Sequence, residues 1–218
     1  MAKYYMTNGV EITREAFLEF YSNSYWIQNN PMIDKHVLEL RNKNKCDWKV
    51  NDVFVALAWK MGCIKSWNDG LVFYNGWDKD SHVVTRNKRK YFTEEDFEQI
   101  LGVCKGANGT LKSYLNGFKN VKGIGPVYAV ALRYFMEAQF GENVLIYDQF
   151  AQRGIDAIIG EVEPRTKISY KEPTFANMEK LYLEYKEKVE SVFRDKCNFR
   201  KVDQALWVYG HLFVNGKQ

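Results

Sequence analysis

Residues 120–135 read NVKGIGPVYAVALRYF, and the turn inside this stretch decides the fold. Gly123 and Gly125 stand one residue apart, and glycine can take backbone angles that are closed to other residues. Pro126 suits the first position of a helix, where no amide hydrogen bond is lost. Apolar spacing predicts a helix from the turn to about Gln139 and another that leads into it from Leu111. The amides of the turn should therefore point outward, toward an anion such as phosphate.

Two motifs together resemble the helix-hairpin-helix DNA glycosylase superfamily. The first is VKGIGPVYA at residues 121–129, and the second is IYDQFAQR at residues 146–153. Members of that superfamily carry a hairpin similar to Leu-Pro-Gly-Val-Gly and, beyond it, a catalytic aspartate in a Val-Asp-like context. The resemblance covers Leu111 to about Ile159. Within the superfamily, the chain resembles bacterial members that are similar to 8-oxoguanine glycosylases.

The resemblance implies a mainly α-helical fold in two lobes, with a cleft between them that contains Asp148. One lobe would span about residues 52–150 and contain the helix-hairpin-helix motif, while residues 1–51 would pack with 151–218 as the other. Residues 23–31 are polar with two aromatics and are expected to form a loop. In the irregular segment 65–92 we expect a small β-hairpin within residues 71–85, pairing 71–74 with 82–85.

By the same resemblance, the turn binds the DNA backbone. Three amides would bind a phosphate, namely those of Gly123, Gly125 and Val127. Three carbonyls would hold a monovalent cation, K⁺ or Na⁺, namely those of Lys119, Val121 and Ile124. Lys122 stands where the superfamily often has proline, and its side chain would add a direct phosphate contact. No other cofactor is implied.

Asp148 is the catalytic residue that the resemblance implies. A carboxylate beside the sugar would stabilise the oxocarbenium character that develops as the base leaves, and it would orient or deprotonate the attacking water. Alternatively, Asp148 only caps the helix that begins there, since aspartate is a favoured cap. The two roles are compatible. Glycosylases that also cleave the strand carry a lysine where this chain has Val127, so we expect a monofunctional enzyme that leaves an abasic site.

The last helical pattern, residues 201–210, supplies candidates for a base pocket. Val202, Ala205, Leu206 and Tyr209 share one face and indicate core. Gln204 and the residues after it resemble the 8-oxoguanine glycosylase segment in which a glutamine binds the flipped base; an ordinary amphipathic helix explains them equally well. Further lining or wedge candidates are Trp207, Trp67 and Asn68, for each of which core packing or a polar turn is the alternative.

Composition sets the limits of these hypotheses. The net charge of +4 and pI of about 8.7 permit nucleic-acid binding without demanding it. Four widely spaced cysteines and three histidines without ligand spacing predict no metal site built from side chains, and the absence of clustered carboxylates argues against a metal-dependent nuclease. The sequence shows no apolar signal core and no apolar run long enough to cross a membrane. We therefore expect a soluble, cytoplasmic protein without membrane contact. We also expect it to be a monomer.

The densest basic run, RNKRK at residues 86–90, admits two interpretations. It is either a solvated loop or a phosphate contact. Taken together, the patterns and the resemblance predict a DNA glycosylase for an oxidised base or, as in antiviral defence, for a bulky modified cytosine of phage DNA. The aromatic-rich segments 25–30 and 65–92 could enlarge a pocket for the latter. The alternative is a non-catalytic helix-hairpin-helix DNA-binding protein.

Overall fold

The protein is mainly α-helical with small antiparallel sheets, as the sequence predicts. A computed structural model describes residues 2–28, 33, 39–67, 70–106, 109–136, 144–163, 172–194 and 198–214. Among the described helices, none is long and apolar enough to cross a membrane. The chain divides into two compact units. The terminal unit comprises Met1–Asn29, Leu145–Glu172 and Lys180–Gln218, and the central unit comprises Asn30–Val144 and Pro173–Glu179.

These boundaries differ from the predicted lobes of about 52–150 and 1–51 plus 151–218. Residues 30–51 group with the central unit and not with the N-terminal residues, and there the Arg41 guanidinium lies 4.3 Å from the centre of the Tyr134 ring and Lys43 pairs with Asp52 at 2.7 Å. At the other boundary, Asp148 belongs to the terminal unit because the helix that it begins packs there. The turn and Asp148 therefore lie in different units.

The central unit is built around a buried helix. Its helices are α2 (Val50–Lys60), α3 (Glu94–Gly106), α4 (Leu111–Phe118) and α5 (Pro126–Phe135), with a 3-10 turn at Lys45–Asp47. Every residue of α2 from 52 to 58 is buried, which agrees with its apolar pattern, and α2 packs against α3 and α5. Helix α5 ends at Phe135 with Met136 as its C-cap, which is short of the predicted end at about Gln139. Residues 137–139 lie outside the described residues.

Two small sheets complete the central unit. Strands β3 (Ile64–Trp67) and β4 (Gly70–Phe73) pair with each other, and β5 (Trp77–Asp78), β6 (Val83–Arg86) and β7 (Arg89–Phe92) form a second sheet in that order. The predicted pairing of 71–74 with 82–85 is therefore wrong. Each strand pairs with its neighbour in the chain, because tight turns favour local pairing; between β6 and β7, Asn87 and Lys88 both have positive φ, at 50° and 61°.

The terminal unit has an aromatic core. Its elements are β1 (Tyr4–Tyr5), β2 (Glu11–Ile12), α1 (Arg14–Gln28), α6 (Gln149–Ile158), α7 (Met178–Phe193, in this unit from Lys180), α8 (Phe199–Tyr209) and a π-helical turn at Gly210–Val214. Phe17, Tyr21 and Tyr209 pack with ring centroids 5.0–5.2 Å apart. The loop predicted at 23–31 is wrong for 23–28, because α1 continues to Gln28. Residues 29–31 lie outside the described part.

Close helix packing fixes the register of α6 and α8. A Cβ on Gly154 would lie 2.6 Å from the Leu206 carbonyl oxygen, and a Cβ on Gly210 would collide with the Phe150 carbonyl oxygen. These two glycines let the helix backbones approach more closely than any larger residue would permit. The close approach places the N-terminal turn of α6 beside the C-terminal part of α8.

Candidate nucleic-acid interface and active site

The turn between α4 and α5 spans residues 119–125, and its two glycines differ. Gly123 has φ +73°, as the sequence predicts, and a Cβ there would lie 2.6 Å from the Phe92 ring. Gly125 has φ −82° and ψ 167°, an ordinary extended conformation that any residue can adopt. The expectation of unusual backbone angles is therefore wrong for Gly125. A Cβ at Gly125 would meet only the Tyr128 ring, at 4.0 Å.

The amides of this turn are open. Gly125 is the N-cap of α5 and offers no side-chain cap, and its carbonyl accepts hydrogen bonds from the amides of Tyr128 and Ala129, each at 3.1 Å. Within the described part of the chain, the amides of Gly123, Gly125 and Val127 donate no hydrogen bond. All three residues are at least partly exposed. Unpaired amides at a helix N-terminus are the arrangement that binds anions.

Lys122, predicted to contact phosphate, pairs with an aspartate in this structure. Its ammonium lies 3.1 Å from the Asp96 carboxylate, and its side chain is 60% exposed. Asp96 also accepts hydrogen bonds from the Thr93 amide and hydroxyl at the start of α3. Partial burial raises the pKa of Asp96, but the hydrogen bonds from Thr93 and Lys122 outweigh it, so the pKa is held below its ordinary value. Exposed ion pairs of this kind are weak, so Lys122 can exchange Asp96 for another anion.

Asp148 does cap a helix. An extended, buried run at residues 144–147 leads to it, and its Oδ1 accepts a hydrogen bond from the Phe150 amide at 2.9 Å. The residue is half-buried. A helix N-terminus carries partial positive charge, which attracts an anionic side chain. The bond also orients the carboxylate, a property that a cap and a catalytic group share.

The charge of Asp148 acts on two tyrosines, Tyr147 and Tyr185, and the charge of Asp203 acts on Tyr185 as well; the sequence interpretation missed these groups. Burial raises the pKa of Tyr185 well above its usual value, and the negative charges of Asp203 and Asp148 add to the effect. The Tyr185 hydroxyl is fully buried and makes no hydrogen bond within the described residues. Its ring packs edge-on against Tyr147 at 5.6 Å. Asp203 is buried next to Gln204 on α8, and an acid adjoining the predicted core face of this helix was the available signal.

An aromatic cluster adjoins this acidic group. We define it as Trp207, His211, Phe150 and Tyr25. The Trp207 ring stacks on His211 with centroids 5.1 Å apart and an interplanar angle of 6°, and it meets Phe150 and Tyr25 edge-on at 6.1 and 5.8 Å. Because the Phe150 amide binds Asp148, this aromatic cluster and the carboxylate are joined through one residue.

The predicted pocket residues have different locations. Gln204 is 5% exposed and Trp207 is partly exposed, and both lie on α8 in the terminal unit with Asp148. The predicted core face of α8 is confirmed, since Val202, Ala205, Leu206 and Tyr209 are fully buried. Trp67 ends β3 in the central unit. Asn68 lies outside the described residues, as does the position of the Trp67 side chain.

Backbone carbonyls are the donors available for a cation at the turn. Within the described residues, the carbonyls of Lys119 and Ile124 accept no hydrogen bond, and that of Val121 accepts one from the Ile124 amide at 3.5 Å. The described residues contain no group of three or more side chains that could hold a metal ion.

The chain matches no known protein-family model, no curated protein and no solved structure.

Proposed function

We propose that this protein is a monofunctional DNA glycosylase of the helix-hairpin-helix kind, which hydrolyses the N-glycosidic bond of a modified base and leaves an abasic site. The observation that carries the proposal is the pair of helix starts that follow each other in the chain. The first, at Gly125, has open amides, and the second, at Asp148, has an oriented carboxylate beside aromatic side chains. A glycosylase requires both properties.

The open amides would bind the DNA backbone. An enzyme that acts on a base must take the nucleotide out of the stack and hold the strand while it does so. Amides of Gly123, Gly125 and Val127 that lack partners in the described chain can donate to a phosphate without breaking existing bonds. A K⁺ or Na⁺ ion at the carbonyls of Lys119, Val121 and Ile124 would supply further positive charge at this place.

Asp148 would carry the chemistry. As the bond from C1′ to the base nitrogen breaks, its electron pair leaves with the base and the sugar gains positive charge. An anionic carboxylate stabilises that charge, and it orients a water molecule whose oxygen forms the new bond to C1′. The carboxylate accepts the water proton, and the departing base is protonated from solvent. Because the Phe150 amide already holds Asp148 in place, little reorganisation is required.

Side chains of α8 would contact the flipped base and recognise it. The buried amide of Gln204 can form hydrogen bonds with a base edge, and the partly exposed Trp207 ring offers a stacking surface. Both are consistent with an oxidised purine or with a bulky modified cytosine. The substrate is thus a base whose modification changes its hydrogen-bonding edge or its size.

We expect no Schiff base between a lysine of this protein and the sugar. The position used by lyase-type enzymes is Val127, Lys122 is engaged with Asp96, and Lys119 is exposed on the turn. We therefore expect no covalent adduct when the protein is incubated with substrate DNA and sodium borohydride. A trapped protein–DNA adduct would contradict the monofunctional assignment, while base release itself would remain.

The second candidate is a DNA-binding protein without catalysis, and the cap at Asp148 favours it, because the cap alone explains an aspartate there. The two candidates differ in the fate of the glycosidic bond. Both predict DNA binding through the turn, whereas the first alone predicts release of a free base.

The decisive experiment incubates the protein with genomic DNAs that carry oxidised, alkylated or bulky modified cytosine bases. Mass spectrometry then identifies bases released into solution. We expect one modified base to appear with the wild-type protein and not with the Asp148→Asn variant. Wild-type protein that binds every DNA and releases no base would overturn the glycosylase proposal in favour of the second candidate.

A further inference from the structure

The basic run at residues 86–90 forms the tip of a β-hairpin. Strands β6 and β7 join through Asn87 and Lys88, whose positive φ angles suit a two-residue turn. The base of the hairpin is fixed by packing, since Val84 and Phe92 are buried and the Thr85 amide bonds the Gly76 carbonyl at 2.8 Å. The tip is therefore a solvent-exposed turn on a base that is fixed by packing.

Four cations project from this tip without acidic partners. Arg86, Lys88, Arg89 and Lys90 are all exposed, and within the described residues none of them forms an ion pair. The Arg86 guanidinium lies 5.1 Å from the centre of the Tyr91 ring, which restricts its direction without neutralising it. Elsewhere in the central unit, Lys43 pairs with Asp52 and Lys122 with Asp96.

The register of the hairpin concentrates this charge. Arg86 stands directly opposite Arg89, and Lys90 stands opposite Thr85. Like charges at directly opposed positions destabilise a strand pair. A bound anion between the two arginines would convert that repulsion into attraction, and guanidinium groups suit phosphate because they can donate two parallel hydrogen bonds.

Strand β7 connects the basic tip to the open amides of the turn. It ends at Phe92, which is fully buried and contacts Gly123. Four residues later, Asp96 binds Lys122 of the same turn. The basic hairpin and the turn are therefore neighbouring features of the central unit, and an anionic polymer at one would meet positive charge at the other.

We propose that the β6–β7 hairpin is a second phosphate-binding element, which binds the DNA backbone beyond the phosphate held at Gly123, Gly125 and Val127. The proposal rests on the DNA binding in the proposed function and extends it to a separate element. DNA is favoured over an acidic protein because the adjoining open amides suit single phosphate groups, repeated along a backbone. The hairpin would act on any sequence, since phosphate contacts carry no base information.

The test measures binding to an unmodified duplex oligonucleotide by fluorescence anisotropy across a range of salt concentrations. The variants are Arg86→Gln with Arg89→Gln, and a second protein that adds Lys88→Gln and Lys90→Gln. The matched control is Lys105→Gln with Lys112→Gln, which removes two exposed cations from the same unit. Each lost phosphate contact should lower the slope of log affinity against log salt by about 0.9.

We expect the double hairpin variant to lose about 1.8 from that slope and the fourfold variant more, with at least tenfold weaker binding, while the control keeps the wild-type slope. The melting temperatures of the hairpin variants should equal or exceed that of the wild type, because repulsion is removed. Equal slopes for the double variant and its control would overturn the proposal, as would wild-type protein that does not bind the duplex.

Base release by the same proteins separates this inference from the proposed function. Hairpin-dependent binding without any base release would sink the glycosylase assignment and leave the hairpin proposal intact. Base release by proteins whose salt slopes equal that of the wild type would overturn the hairpin proposal and leave the glycosylase assignment intact.

Discussion

Two helices of this protein begin in opposite ways. Helix α5 begins at Gly125, which has no side chain to cap it, and the amides of the turn lack partners within the described residues. Helix α6 begins at Asp148, whose own carboxylate accepts a hydrogen bond from the Phe150 amide. Each N-terminus carries about half a positive charge. One of them is open to an external anion, and the other already has an anion of its own.

This difference assigns the two helix starts different tasks in the proposed reaction. An anion such as phosphate is attracted to α5 and gains hydrogen bonds there. At α6 the carboxylate of Asp148 offsets the helix charge, so the site suits a developing cation better than an anion. The sugar of a nucleotide that loses its base becomes such a cation. Changes that make the two helix starts alike should therefore separate binding from chemistry.

The largest effect is expected from Asp148→Asn. Asparagine caps helices about as well as aspartate, so the free energy of unfolding should change by about 0.5 kcal/mol or less. The negative charge is lost, and the rate of base release should fall by about 10³-fold. Thermal unfolding and a base-release assay measure the two quantities. DNA affinity should stay at the wild-type value or rise slightly.

The matched control is Asn198→Asp, because Asn198 caps α8 in the same unit through the Arg200 and Lys201 amides. It exchanges the same two residue types at another helix start and should leave the release rate unchanged. Asp148→Asn protein that releases bases at the wild-type rate would reduce Asp148 to a structural cap.

The next largest effect is expected from Gly123→Ala. The φ of +73° and the Phe92 ring at 2.6 Å both oppose a Cβ, so the protein should lose about 3 kcal/mol of stability. Gly160→Ala is the control, since Gly160 has φ +80° and no atom within 4 Å of its Cβ position; it should cost about 1 kcal/mol. Denaturant unfolding measures both. Equal losses would show that Phe92 yields to the added methyl group.

Gly125→Asp should make α5 resemble α6. The backbone at Gly125 accepts any residue, and an aspartate there would cap the open amides and repel phosphate. DNA binding should weaken by about 10- to 100-fold, with stability unchanged or slightly higher. Gly125→Asn supplies the same cap without the charge and should weaken binding less. Affinity unaffected by both substitutions would remove the turn from the DNA interface.

The smallest effect is expected from Asp96→Asn. Despite partial burial, the hydrogen bonds from Thr93 and Lys122 hold the pKa of Asp96 below its ordinary value, so its ionised form stabilises the fold at neutral pH, and this contribution is lost as the pH falls through the pKa of the folded protein. The variant should be about 1 kcal/mol less stable at pH 7, with the difference shrinking as the pH falls and Asp96 becomes protonated. A difference that persists in acid would contradict this origin.

Asp96→Asn also releases Lys122 from its ion pair. DNA affinity should then rise by about twofold, because one negative charge is removed beside the turn and one ammonium becomes available. Anisotropy with an unmodified duplex measures the change, and weaker binding would mean that the ion pair holds Lys122 in its productive position.

Local patterns predicted much of what the structure shows. The turn, the helix cap at Asp148 and the core face of α8 follow from residue type and helical spacing. The predicted strand pairing in the segment 64–92 was wrong, because the alternation of apolar and polar residues locates strands but does not determine which strands pair. The loop at 23–28 was wrong because packing of an aromatic helix overrides polar residues.

The surroundings of Asp148 were the least predictable part. Tyr185 and Asp203 are far from it in sequence, yet the charges of Asp148 and Asp203 both act on the buried Tyr185 hydroxyl. Tyr185 lies on a helical stripe that indicates core and nothing more. Tertiary contacts of this kind leave no local signal in one sequence.

The most direct test of the account is single-turnover base release, measured with Asp148→Asn and Gly125→Asp side by side on the DNA found to lose a base. At saturating protein, we predict that Gly125→Asp releases the base at nearly the wild-type rate once bound, whereas Asp148→Asn binds fully and releases about 10³-fold more slowly. Equal rates for the two bound variants would contradict the division between a helix start that binds DNA and one that acts on the base.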